Sequence, residues 1–167
     1  MAEHTEFFLH PGDFCFAGPW TRLHTLLGSC VSITLWHPVR RIGGMCHYLL
    51  PSRGRATGVA EFDGRYGDEA IQMFLHHVHR CGTRRGDYEV KMFGGAGQFP
   101  QFGGSALGDV AERNIQVGMT LLHRHGLALT ARHLGGLGSR RLIFDLATGC
   151  VWLKSLEPFA VKVGAPS

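Results

Sequence analysis

Short alternating runs of apolar and polar residues dominate this chain, and only two segments carry a helical repeat. After Pro11-Gly12-Asp13, the run Phe14-Cys15-Phe16 reads as a short strand. From Cys30 the alternation is strict: Val31, Ile33 and Leu35 take one face, and Ser32, Thr34 and Trp36 the other. Ile42 to Leu50 is a second strand. Between the two, His37-Pro38-Val39-Arg40 has turn character because Pro38 fixes φ and lacks an N–H, so the pair is expected to form a hairpin. The spacing then becomes helical, with Ile71, Phe74, Leu75 and Val78 on one stripe, Asp68 as the candidate N-cap and Gly82 as the stop. Tyr88 to Phe93 is a strand running into Gly94-Gly95-Ala96-Gly97. A second helix follows, with Asp109 and Glu112 spaced as a capping box and Gly126 at its end. Leu127 to Ala131, Arg141 to Asp145 and Cys150 to Leu153 complete the strands. The pattern predicts a single α+β domain over residues 1–167, with a mainly antiparallel sheet core and two main helices packed against it.

Composition narrows the class. With 167 residues, 44% hydrophobic and 18% charged, the chain folds as one globular unit. Lys+Arg 17 against Asp+Glu 13 leaves a surplus of +4, mostly arginine, which suits an acidic partner. Five cysteines without a CxxC pair argue against a disulfide framework and a cysteine-based zinc site. No run approaches the roughly 20 apolar residues of a membrane span, and the acidic N-terminal segment is unlike a secretory signal. A cytoplasmic protein without membrane insertion is expected.

Several chemical signals are weak. His76, His77, His79 and Cys81 resemble a metal cluster but have no obvious fourth partner, and solvated histidines are the expectation. The Gly94 to Gly97 stretch fails the GxGxxG spacing at Pro100, so it is read as backbone that approaches the hairpin closely. The arginine pairs are dispersed, unlike a nucleic-acid stripe.

The hairpin carries the strongest signal. A turn closed by Trp36 and Arg41 pairs Cys30 with His47 on one face, close enough for a thiol and an imidazole to meet. A one-residue slip would bring Cys46 or Tyr48 opposite Cys30 instead. Such an imidazole can take the thiol proton and leave an ion pair at neutral pH. Gly28-Ser29 ahead of the cysteine can turn backbone N–H groups toward an oxyanion. Packing is the competing explanation, since free cysteine is among the most buried residue types.

The segment Thr25-Leu26-Leu27-Gly28-Ser29-Cys30-Val31, with Gly43-Gly44-Met45-Cys46-His47-Tyr48-Leu49-Leu50-Pro51, resembles the chemoreceptor glutamine deamidase family, CheD. The likeness extends to Pro11-Gly12-Asp13, Lys91-Met92-Phe93-Gly94-Gly95-Ala96, Arg113-Asn114, Gly135-Gly136, Arg140-Arg141 and Thr148-Gly149. It implies a layered α/β sandwich, Cys30 as nucleophile, His47 as its partner, and Gly28 and Ser29 as backbone support. It also implies a cysteine-dependent amidohydrolase needing no metal or organic cofactor, which converts glutamine side chains on the cytoplasmic helical domains of chemoreceptors to glutamate. Some members carry an orienting threonine six places before the cysteine, a position held here by His24. Thr25, one place nearer, is the candidate, its alternative being a strand hydroxyl satisfied by local backbone. His133 stands where an acidic residue is common in the family. Two rivals remain open: an adaptor or regulator that binds a CheC-type phosphatase with little catalysis of its own, and another Cys–His hydrolase acting by transglutamination or ester hydrolysis.

Overall fold

A computed structural model describes residues 3–54, 61–97 and 106–156. Among these, the elements are β1 (Thr5–Leu9), β2 (Phe14–Ala17), β3 (Thr21–Leu27), β4 (Val31–His37), β5 (Ile42–Cys46), α1 (Gly67–Arg80), β6 (Glu89–Gly94), α2 (Ala106–Arg124), β7 (Leu129–Leu134), β8 (Ser139–Asp145) and β9 (Val151–Leu156). They form two sheets, ordered β1-β3-β8-β9 and β2-β5-β4-β6-β7. Pairing is antiparallel except for β1 with β3 and β6 with β7. The α+β class agrees with the sequence pattern, and the layered arrangement with the resemblance.

Alternation along β4 explains why there are three layers. Val31, Ile33 and Leu35 join Ile71, Phe74, Val78 and Leu122 in the core between the five-stranded sheet and the helices. The opposite face of that sheet meets the four-stranded sheet through Met45 with Leu23 and Phe144, and through Phe93 with Leu27 and Leu142. The five-stranded sheet is therefore covered on both faces, which favours apolar residues along β4.

Two strands are absent from the sequence reading, β1 and β3. In β3, Thr21, Leu23, Thr25 and Leu27 are the buried set, so half of the inward positions are threonine and the hydrophobic alternation is masked. In β1, Phe7 and Phe8 are both exposed, which removes the one-sided pattern. Helix α1 starts one residue before Asp68. Tyr66 holds the N-cap place, and Asp68 instead accepts from Ser52 Oγ at 2.7 Å and from the Glu69 N–H at 2.8 Å. The capping box expected from Asp109 involves side chains outside the described residues; α2 itself begins at Ala106. His77 is not solvated, because its ring stacks on Phe16 at 4.7 Å.

The β4–β5 register differs from expectation by two residues. The turn is Pro38 to Arg41, with Arg41 at φ 53 and its N–H bonded to His37 O at 2.8 Å, so His37 and Ile42 close it. His37 is held by the edge of the Tyr88 ring and accepts the Arg40 N–H at 3.1 Å on Nδ1, which draws it into the strand rather than the loop. A shift of two preserves which face each side chain takes.

Gly43 and Gly44 let β5 lie flush between its neighbours. A methyl group at Gly43 would collide with the Leu35 carbonyl, and one at Gly44 with the Cys15 carbonyl. Gly43→Ala should therefore cost at least about 2 kcal/mol of stability by urea denaturation. Gly18→Ala, where nothing lies within 4 Å, should change it little.

Candidate active site

The chain passes from one sheet to the other between β3 and β4, and only Gly28-Ser29-Cys30 makes the crossing. So short a link is fixed by its backbone. Gly28 O accepts the Ala96 N–H at 2.9 Å, and Cys30 O accepts the Gly95 N–H at 2.8 Å. Gly94, at φ 107, lies so near that a side chain there would strike the Cys30 carbonyl. Gly135 N–H in turn bonds Gly94 O at 2.9 Å. The glycine stretch thus does what its sequence suggested, bringing backbone against the Cys30 turn.

His47 follows β5 and belongs to the opposing sheet. Its Nδ1 lies 2.7 Å from Thr25 Oγ1, which lies 2.8 Å from the carbonyl oxygen of Leu9. A hydroxyl has one proton, and a carbonyl can only accept. Thr25 therefore donates to Leu9, and Nδ1–H of His47 donates to Thr25. This fixes the tautomer and leaves Nε2 as a bare lone pair, which is buried and has no hydrogen-bond partner. His24 lies on the outer face of β3, 3.5 Å from Glu6, so Thr25 and not His24 is the residue that meets His47.

Cys30 shares the inter-sheet face with His47 but is not directly across from it. The register of Val31 with Tyr48 places Cys30 opposite Leu49, making His47 its diagonal neighbour. No hydrogen bond joins the thiol to the imidazole. Cys30 is half-buried against Leu27, Phe93 and Leu142. Burial raises its pKa, eased by a hydrogen bond from the Ser29 side chain. Burial also lowers that of His47 to about 4, opposed by the Leu9 carbonyl and by Asp13. The resting pair is thus neutral thiol and neutral imidazole, in place of the ion pair expected from the sequence. Among the described residues, no backbone carbonyl takes the N–H of Ser29 or of Cys30, so both are free to bind an oxyanion.

Asn114 on α2 is a site residue whose role the sequence did not show. It is fully buried, and its Nδ2 donates to Leu49 O at 2.7 Å and to Ser29 O at 3.3 Å. Tyr48 Oη bonds its carbonyl oxygen. One side chain thus ties the residue before Cys30 to a residue just after His47. A polar residue on an otherwise apolar helix stripe is the signal that could have found it. Arg140, also buried, donates from Nε to His133 Nδ1 at 2.9 Å and from Nη2 to the Gly135 carbonyl, so His133 serves the second glycine turn as an acceptor.

Residues 49–155 match the family described as "CheD chemotactic sensory transduction". A "Probable chemoreceptor glutamine deamidase CheD 3" of Dechloromonas aromatica (strain RCB) is 51% identical over 152 residues, 91% of this chain and 88% of the relative. A "Probable chemoreceptor glutamine deamidase CheD" of Pseudomonas fluorescens (strain SBW25) is 48% identical over 151 residues, 90% of this chain and 84% of its own length. The chain belongs to the CheD family. A more distant member, from Anaeromyxobacter dehalogenans (strain 2CP-C), keeps 34% identity over 90% of this chain and 85% of its own. The CheD match begins just after His47, so the geometry of Cys30, His47 and Thr25 comes from the fold described above and not from that segment.

Three outcomes follow from this geometry. Asn114→Asp would set a carboxylate against two carbonyl oxygens and should lower stability by about 2 kcal/mol or more in urea denaturation. With His47 depressed to about 4, the ring stays a competent base as acid is added. The acid limb of kcat/KM should therefore fall near pH 4, not near the usual histidine value of about 6.5. Because the unfolded ring protonates first, stability should decline as pH drops from about 6.5 toward 4.

Proposed function

We infer that this protein is a chemoreceptor glutamine deamidase, with Cys30 as nucleophile, His47 as proton carrier and Thr25 as the residue that orients His47. The observation that carries the assignment of roles is the Leu9–Thr25–His47 relay. It leaves one imidazole nitrogen unprotonated on the face that bears the thiol. The relatives' names supply the substrate, a glutamine side chain of a chemoreceptor.

The chemistry is a two-step acyl transfer. As the carboxamide approaches, the Cys30 Sγ–H proton passes to His47 Nε2 and sulfur bonds to the amide carbon. Negative charge moves onto the former carbonyl oxygen, where the free N–H groups of Ser29 and Cys30 receive it. His47 returns the proton to nitrogen, the C–N bond breaks, and ammonia leaves a thioester. Water then gives a proton to Nε2 and adds to the carbon. The C–S bond breaks, the proton returns to sulfur, and a glutamate remains. Because both partners rest neutral, the proton moves with the attack and no thiolate waits exposed to oxidants.

The receptor's cytoplasmic helices are the part this reading assigns as substrate, and the basic surplus of +4 favours an acidic helical surface. The measurement is mass spectrometry of a receptor cytoplasmic fragment incubated with the protein. Wild type should add about 1 Da at specific glutamines, while Cys30→Ala and His47→Ala should each abolish the gain, since nucleophile and base act as a unit. Thr25→Val should lower kcat by roughly 10- to 100-fold by freeing the ring. A mass gain that survives Cys30→Ala refutes the assignment.

A further inference from the structure

Beyond the cysteine, histidine and threonine, the space between the sheets holds a polar group that nothing described so far uses. Ser32 is fully buried, and among the described residues its Oγ has no hydrogen-bond partner. Buried hydroxyls are rarely left in this condition, because the lost hydration is not recovered. Val31 pairs with Tyr48, and Thr34 with Met45. That register puts Ser32 across from His47, whose Nε2 is the other unpartnered buried atom at this point. By alternation Ser32 also shares its face with Cys30, two residues earlier, and its neighbour on β6 is Phe93, which packs on Cys30.

The backbone is unusual at the same place. The β4–β5 ladder runs from His37 with Ile42 to Thr34 with Met45 and then lapses. The Ile33 N–H bonds the Cys46 sulfur at 3.4 Å, and the His47 N–H turns to Asp13 O at 3.2 Å. The ladder therefore opens where the two unpartnered side-chain atoms face each other.

Resting on the deamidase reading, we propose that Ser32 Oγ accepts an N–H of the substrate carboxamide and so holds the leaving nitrogen beside His47 Nε2. A primary amide nitrogen carries N–H donors, and a serine oxygen can accept one of them. The lone pair of His47 Nε2 stays available for the Cys30 proton. The same placement puts the leaving nitrogen beside the atom that returns its proton. Cys30, partly exposed, lies on the same face of the strand as Ser32.

The test compares an amide with an ester, because an ester leaving group has no N–H. Deamidation of a receptor cytoplasmic fragment and Cys30-dependent hydrolysis of p-nitrophenyl acetate are measured for wild type, Ser32→Ala and Ser32→Thr, with urea denaturation of each. The expected result is a roughly tenfold fall in kcat/KM for the amide in Ser32→Ala. Ester turnover should stay within about twofold, and stability should be equal or higher because an unsatisfied hydroxyl has been removed. Ser32→Thr, which keeps the hydroxyl, should retain more amide activity than Ser32→Ala. Equal losses on amide and ester, or an unchanged amide rate in Ser32→Ala, overturn the proposal while leaving the deamidase reading intact. Absence of deamidation by the wild-type protein overturns that reading instead.

Discussion

The site depends on one hydrogen-bond relay that spans two sheets. Leu9 comes from β1, Thr25 from β3 and His47 from the end of β5, so three strands in two layers must be in register for the imidazole to be held. The direction of the relay is forced by the carbonyl at its end, which can only accept. From that follow the tautomer of His47 and the bare lone pair at Nε2. The proton chemistry is thus set by a backbone oxygen far from Cys30 in sequence.

A relay of this kind needs a rigid surround, and the protein supplies it with glycine and one amide. Gly94 and Gly95 press against the Cys30 carbonyl, and Asn114 joins Ser29 to Leu49 from the helix side. The Cys30 turn is therefore held on both sides, by backbone on one and by α2 on the other. The same packing suppresses charge on both Cys30 and His47, raising the thiol and lowering the imidazole. A neutral resting pair suits a nucleophile that is to act only when an amide is present.

Much of this was legible in the sequence. The β4–β5 hairpin, both helices and most strands follow from apolar spacing, and Cys30 and His47 share a face because a two-residue shift in register keeps the strand period intact. Sequence pattern could not give the register itself, which turned on His37 packing against Tyr88 and on Arg41 adopting a positive φ. It also could not reveal β3, whose inward threonines hide its alternation.

The amino-acid pattern alone determined the class of fold and placed Cys30 and His47 on one face as a candidate nucleophile and its partner, because these rest on local periodicity and short spacing. Tertiary structure alone decided which threonine meets His47, which ring nitrogen is free, and why Asn114 is buried. Each of those depends on contacts between residues distant in the chain, and on how much water is excluded where they meet.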